Sequence, residues 1–324
     1  GNAGSEIAFL QPAQSTVSRG QDSIAVTVRF DNRGNVDLRV DSLKLTFPGS
    51  SDISADPLFL PGGQIVQVDT SADFVLYSHI GSAATLGPGT IEATVWGVAP
   101  SIAQAFEDST AEQPGNWEVQ VRPQLLTDSL VLSQATVSTT QPFFADLIIS
   151  QQDTNQYTAG SVLDSVEILV DGISLDTSPV LSGNRLGITS LPKTLAPGED
   201  VNIRFALQST LLTGRSELSS KVYFRDRNDD LALSSDSITV SDSLFIQSAS
   251  VLAMDSVRQS HNAISAGQEN VSYELRINNN GTAQLEVEQV RLVNSNTGVR
   301  GELNTDLPVT IGGLGSQNFV FDLV

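Results

Sequence analysis

Few residues in this chain are of types that do chemistry, and their spacing limits what each could do. The histidines are His79, in "LYSHIG", and His261, in "RQSHNA". Neither has HExxH or comparable ligand spacing around it, so both read as surface or loop residues. Cysteine is absent, which removes thiol nucleophiles, thiolate metal sites and disulfides. The nucleophile elbow G-x-S-x-G, the phosphate loop G-x-x-x-x-G-K-[ST] and the dinucleotide motif G-x-G-x-x-G are all missing. Carboxylates are plentiful, but a glycosidase needs two that face each other across a cleft, and spacing alone assigns none. The catalytic set is empty, no cofactor is implied, and the chain reads as a non-enzyme.

Three patterns deserve weighing as sites. In "FRDRNDDLALS", Asp226, Asn228 and Asp230 alternate and could offer hard oxygen ligands to calcium. An EF-hand loop requires Gly at its sixth position and Glu at its twelfth, and neither occurs, so the segment reads instead as a solvated hairpin turn. Trp96 and Trp117 could stack on sugars, but each sits in an alternating strand pattern, which points to core or inter-sheet packing. The third pattern is Asp-Ser followed by Ile, Leu, Val or Thr. It recurs eight times, at Ser23, Ser42, Ser109, Ser129, Ser165, Ser237, Ser243 and Ser256, where random placement of these residues gives roughly one or two.

Strands must position all of these residues. Ile24, Val26, Val28 and Phe30 alternate with Ala25, Thr27 and Arg29, the period of a strand with one buried face. "DNRG" (Asp31 to Gly34) follows with turn chemistry suited to a hairpin. Leu38 and Val40 resume the buried face, and then the parity slips to Leu43, Leu45 and Phe47, which places a β-bulge between Val40 and Leu43. The same events recur 247 residues later: Val271, Tyr273, Leu275 and Ile277, a turn at Asn278 to Gly281, then Leu285 and Val287, then Val290 and Leu292. Ser18 to Leu45 aligns without gaps on Ser265 to Leu292, sharing Ser, Gly, Gln, Arg, Asn, Gly, Leu, Val and Leu.

A more divergent middle copy starts at "TVSTTQPFFADLIIS", echoing "TVSRGQDSIAVTVRF". A Gly-rich turn with an alternating strand also recurs in "LPGGQIVQV", "LAPGEDVNIRF" and "IGGLGSQNFVF". The first two copies end alike, with "GTIEATVWGV" and "NWEVQV" in one and "SELSSKVYF" and "DSITV" in the other. Helical periodicity is missing. The expected fold is all-β, three tandem immunoglobulin-like sandwiches in a rod-like array, at 1–122, 123–241 and 242–324. The third copy, matched through "SQNFVFDLV" to "GGQIVQV", stops two strands short. Strands from a continuing polypeptide, or from a neighbouring subunit, are expected to cover the open edge. Short linkers near "VRPQLL" and "TVSDSL" should limit bending.

Composition narrows the partners. With 17 basic and 37 acidic residues the net charge is −20, which argues against nucleic acid, whose phosphates require clustered Lys and Arg. No stretch has the 18 or so apolar residues of a membrane span, so no membrane insertion is expected.

The elements "SRGQDSIAVTVRFDNRGNVDL", "LPGGQIVQV", "GTIEATVWG" and "PGNWEVQV" resemble the tandem immunoglobulin-like repeats of bacterial surface and secreted proteins, including the cell-adhesion-related domain found in bacteria. That resemblance implies an extracellular spacer, stalk or adhesion module beside other domains of a longer polypeptide. Two alternatives stay open: a subunit of an extracellular filament completed by strand exchange, and an accessory carbohydrate-binding region of a secreted enzyme, which would bind surface glycans. The Asp-Ser pattern resembles the O-glycosylation acceptor of the Bacteroidota and their relatives. Inheritance by repetition is the other explanation, since Asp41 and Asp164 are equivalent, as are Asp128 and Asp242. Peptide mapping of native material separates the two. Glycan on some of the eight serines is the expected outcome, and unmodified peptides across all of them leave repetition as the whole explanation.

Overall fold

The computed structural model describes residues 3–109, 113–186, 190–235, 243–265, 267–293 and 301–323. The chain is an all-β sandwich array, and among the described residues the only helical element is one 3-10 turn, Leu175–Thr177. Its strands gather around three separate apolar clusters.

The first unit holds β1 (Ser5–Pro12), β2 (Thr16–Ser18), β3 (Ile24–Asn32), β4 (Leu38–Thr46), β5 (Ile53–Ala55), β6 (Leu58–Val66), β7 (Ser71–Ile80), β8 (Gly87–Ala99), β9 (Gln104–Ser109) and β10 (Gly115–Gln120). One sheet has the order β1-β3-β7-β5; the other runs β2-β10-β8-β4-β6, with β9 also on β8. β2 lies parallel to β10. Burial alternates strictly along β3, as its sequence requires, and Ile24, Val26, Val28 and Phe30 share a core with Leu38, Val40, Leu43 and Leu45 of β4.

The turn after β3 differs from the expectation. β3 and β4 lie in different sheets, so "DNRG" does not close a hairpin but arches the chain across the sandwich. Asn32 makes that crossing possible. Its buried side-chain amide donates to the carbonyls of Val36 and Val66, both at 2.9 Å, while its Oδ1 accepts the Gly34 N–H at 3.0 Å. Backbone groups that the arch removes from both ladders are thereby satisfied.

The second unit holds β11 (Leu125–Leu132), β12 (Thr136–Ser138), β13 (Pro142–Gln151), β14 (Ser161–Val170), β15 (Ile173–Ser174), β16 (Leu181–Arg185), β17 (Lys193–Leu195), β18 (Asp200–Ser209), β19 (Gly214–Ser216), β20 (Leu218–Asp226), β21 (Ala232–Ser235) and β22 (Leu244–Gln247). β11-β13-β18-β16 form one sheet, and β15-β14-β20-β21, with β17 on β14, and β12-β22-β19 form the others. β22 pairs parallel with β12, as β10 does with β2. The counterpart of "NWEVQV" is therefore "LFIQ", past the expected boundary at 241, with Leu244 and Ile246 in the second core. "DSITV" (236–240) lies outside the described residues.

The third unit holds β23 (Leu252–Gln259), β24 (Ser272–Asn279), β25 (Leu285–Val287), β26 (Gly301–Leu303), β27 (Val309–Ile311) and β28 (Ser316–Leu323). β28 pairs with β24 as β7 pairs with β3, so "SQNFVFDLV" corresponds to Ser71–Ile80 and not to "GGQIVQV", which lies in β6 beside β4. β25 stops at Val287, and Val290 and Leu292 pack beside the core without a strand. Its second sheet contains β25 and β27 alone among the described residues. Met254 and Val257, equivalent by register to the buried Ile7 and Leu10, are 71% and 62% exposed.

The residues shared by the copies are explained by these contacts. The Ser18, Ser138 and Ser265 amides donate to Oε1 of Gln21, Gln141 and Gln268 at 2.8, 2.7 and 3.1 Å. Gly20 and Gly267 sit at φ 72° and 77°, and the second copy holds Thr140 there at φ 66°, a conformation that disfavours a β-branched side chain. Asn279 repeats the arch of Asn32, donating to Ala283 at 2.6 Å and accepting from Gly281 at 3.0 Å. In the second unit Gln151 takes this place, bonded to the Ala159 carbonyl and the Ser161 hydroxyl.

Asn32→Ala takes the partner from the buried Val66 carbonyl and Gly34 amide and from the part-buried Val36 carbonyl, at about 1–3 kcal/mol for each fully buried group. Both tryptophans lie in the first unit, so urea unfolding followed by tryptophan fluorescence should report a first unit destabilised by roughly 3 kcal/mol. A change below about 0.5 kcal/mol would show that the arch does not depend on the amide.

Candidate functional site: the clasp between the first two units

The segment with metal-like spacing is a hairpin turn, as expected, with Arg227, Asp230 and Leu231 exposed, but Asp226 is buried and Asn228 half-buried against the first unit. It joins β20 to β21 and folds back on the first unit. Asn228 Nδ2 donates to Ser18 Oγ at 2.9 Å and to Gln120 Oε1 at 3.0 Å, and Asn228 Oδ1 accepts from Thr16 Oγ1 at 2.9 Å. Thr16 and Ser18 face the same way because one residue separates them in β2, and Gln120 stands opposite Ser18 in β10. One amide is thus held by three side chains of the neighbouring sandwich.

Asp226 closes the loop from within. It is fully buried, and its Oδ1 accepts the Asn228 N–H at 3.0 Å, which orients the loop. Arg122, in the linker, reaches Asp226 Oδ2 at 3.0 Å and Asp229 Oδ2 at 2.8 Å. Burial pushes the Asp226 carboxyl above its usual range, and the Asn228 N–H, the Ser18 hydroxyl and the Arg122 charge oppose that rise. Asp230 points elsewhere and binds Arg225 at 2.9 Å. Among the described residues no group of three or more His, Asp or Glu is placed to hold a metal ion.

The linker is pinned on both sides. The Val121 N–H donates to the Tyr157 carbonyl and the Val121 carbonyl accepts from Ala159, each at 2.8 Å. The Tyr157 ring packs on Gly87, where a Cβ would lie 2.8 Å from the ring. A polar cleft of about 680 Å³ opens beside Asn228, lined by Gln14, Thr16, Gly160, Pro197 and Arg227 among others. The second junction uses lighter contacts: Ser248 Oγ lies 3.0 Å from Thr282 Oγ1, and the Ala249 N–H donates to Thr139 Oγ1 at 3.2 Å. That linker is Ser248 to Val251, beyond the expected "TVSDSL".

The Asp-Ser serines have no common location. Asp41, Asp128, Asp164 and Asp255 each occupy the extra position of a β-bulge, with register shifts at Val40/Ser42, Thr127/Ser129, Leu163/Ser165 and Met254/Ser256. Three of these carboxylates face an arginine: Asp41 with Arg39 at 2.8 Å, Asp164 with Arg225 at 2.9 Å and Asp255 with Arg276 at 3.6 Å. Ser23, Ser109 and Ser165 are exposed, Ser42, Ser129, Ser243 and Ser256 are half-buried, and Ser237 lies outside the described residues. His79 sits on β7 with Nδ1 3.2 Å from Asp22, and His261 bonds its neighbour Ser260 at 2.9 Å. Trp117 is buried and stacks on Phe47 at 5.6 Å. Trp96 is half-buried on the other side of β8, so only one of the two tryptophans is a core residue.

The sequence places Arg122 in the expected linker "VRPQLL" but does not point to Thr16, Ser18, Gln120 and Tyr157 as junction residues. One signal was available: "TVS" and a following strand ending in Gln occur in both of the first two units.

No protein-family model and no curated protein matches the chain. Among solved structures it is similar to a protein of unknown function from Porphyromonas gingivalis W83, at 14% identity and TM-score 0.26, covering 76% of this chain and all of that one. Domains 4 and 5 of the S-layer protein SbsC match at 10% identity and TM-score 0.24, covering 74% of this chain and 98% of that one. The C-terminal domain of the Streptococcus pyogenes antigen I/II-family protein AspA matches at 9% and 0.27, covering 72% and 99%. Likenesses this distant assign no family and carry no functional argument.

Arg122→Ala leaves Asp226 buried without its cation and should lower stability by roughly 3 kcal/mol. Asn228→Ala should cost about 1–2 kcal/mol, since its partners sit near the surface and can turn to water. Thermal unfolding ranks the two, and an Arg122→Ala change no larger than that of Asn228→Ala would show that Asp226 does not depend on the guanidinium.

Proposed function

We propose that this chain is a non-enzymatic spacer or stalk segment, structural or adhesive, of an exported bacterial cell-surface protein, with its sandwiches held end to end as a stiff rod. The observation that supports this reading is the clasp. Asn228, Asp226 and Arg122 tie two sandwiches together across their linker, in a region whose cleft is lined by Gln, Ser, Thr, Gly, Ala, Pro, Asn and one Arg and carries no nucleophile–base pair. Inter-domain motion is the default for sandwiches joined by short linkers, and a spacer that transmits force or sets distance must suppress it. No helix among the described residues is long and apolar enough to cross a membrane. Other domains of a longer polypeptide are its proposed partners, and the exposed Ser23, Ser109 and Ser165 are its proposed glycan carriers.

A second reading, the filament subunit completed by strand exchange, is favoured by the exposed Met254 and Val257, which strands patterned like β8 and β10 would cover.

Small-angle scattering combined with negative-stain imaging tests the rod. The unaltered chain should give a narrow distribution of angles at the first junction, and the Arg122→Ala/Asn228→Ala double variant a broad one. Equal flexibility in the two chains would sink the spacer reading, and ordered polymers of the unaltered chain would favour the filament.

A further inference from the structure

The receptor that grips Asn228 exists twice. In the first unit it consists of Thr16 and Ser18 on β2 and Gln120 on β10, with Ser18 opposite Gln120 in a parallel ladder. In the second unit β12 repeats the sequence Thr136-Val137-Ser138, and its parallel partner β22 places Gln247 opposite Ser138. The local frames agree as well. The Arg19 N–H donates to the Gln120 carbonyl at 2.9 Å, and the Thr139 N–H donates to the Gln247 carbonyl at 2.7 Å. Gln21 and Gln141 brace the two corners through the Ser18 and Ser138 amides at 2.8 and 2.7 Å. Thr136 is exposed, Ser138 and Gln247 are half-buried, and among the described residues no hydrogen bond engages the side-chain oxygens or the amide of these three.

We propose that Thr136, Ser138 and Gln247 form a second docking site, whose occupant is an asparagine-bearing hairpin loop, equivalent to that between β20 and β21, of the strands that would complete the third unit. The third unit already stacks on the second as the second does on the first, the Ala283 N–H on the Ser248 carbonyl at 3.0 Å repeating the Ala159 N–H on the Val121 carbonyl at 2.8 Å. The occupant is identified by the pairing already visible in the first unit. An amide there donates to a Ser hydroxyl and a Gln carbonyl oxygen and accepts from a Thr hydroxyl. A side-chain amide offers two N–H donors and an acceptor at one planar end, as the three contacts of Asn228 use, and the short Asn fits a tight loop. An aspartate would give up the donor to Gln247 Oε1 and could keep the Ser138 contact only with that hydroxyl donating. The second site differs in one respect: the position equivalent to Arg122 is Ala249, so no guanidinium is present for a buried carboxylate of the incoming loop. Asparagine alone then carries recognition, and the docking is weaker than the clasp. This inference rests on the array reading above, because only stacked sandwiches present such loops to one another.

The probe is a peptide of Val222 to Ser235, closed by a disulfide between cysteines added at its ends. It is titrated into the full chain, which has no cysteine of its own, and the side-chain amide signals of Gln247 and the backbone signals of Thr136 to Ser138 are followed by NMR. Saturable shifts are expected with half-saturation on the order of 1 mM, as a few net hydrogen bonds allow. The Asn228→Ala peptide should produce none, and Gln247→Ala in the chain should weaken binding several-fold. Gln120, already engaged, should not move. Shifts that are absent at several millimolar peptide, or that are equal for the alanine peptide, overturn the proposal. Neither result bears on the stiffness of the first junction, so the array reading stands or falls separately.

Discussion

Each sandwich depends on a side-chain amide buried where the chain leaves one sheet for the other. An arch across a sandwich takes backbone groups out of both ladders and into the core, where an unpaired carbonyl costs about 1–3 kcal/mol. Asn32 satisfies two carbonyls and one N–H at that point, and Asn279 does the same 247 residues later. Gln151 holds this place in the second unit with one more methylene and different partners, the Ala159 carbonyl and the Ser161 hydroxyl. With the arch fixed, β3 and β4 face each other across the core, and the alternation of Ile24 to Phe30 against Leu38 to Leu45 follows.

The bulges have a related role. A residue inserted into one strand reverses the face of everything after it, so Leu43 and Leu45 reach the core only because Asp41 steps out of the ladder. An aspartate suits that position: its carboxylate projects from the strand surface, where Arg39 meets Asp41 and Arg225 meets the equivalent Asp164, while Arg276 meets Asp255 at the bulge of β23, the counterpart of β1 and β11. Ion pairs this exposed add little to stability. Four of the eight Asp-Ser pairs are thus placed by strand geometry, which a reading of composition could not distinguish from a modification signal. The other four need a separate explanation.

The junction turns internal repetition into a mechanical property. Loop contacts between sandwiches are ordinarily few and mobile, but the Asn228 side chain makes three hydrogen bonds to the neighbouring unit, and a buried Asp226 holds the linker's Arg122. The charge balance of −20 adds mutual repulsion between separate chains, strongest at low salt.

Alternation, parity slips and repeated words determined much of this protein without coordinates. They placed alternating strands such as Ile24–Asn32 and the bulge at Val40, because strand period is a local property that the chain carries everywhere. They did not place the end of β25, which stops at Val287 short of Val290 and Leu292. Which strands pair was decided only by the tertiary structure. "DNRG" has hairpin chemistry and still becomes an arch, since turn residues set local φ and ψ but not the sheet the next strand joins. "LFIQ", not "DSITV", closes the second sandwich because it is Leu244 and Ile246 that meet β12 and the second core. The fate of Asp226 and Asn228 was likewise beyond the sequence. Whether a carboxylate and an amide in a loop meet water, calcium or a neighbouring domain depends on what lies about 100 to 200 residues away in the chain, and only the packing of one sandwich on the next brings those groups together.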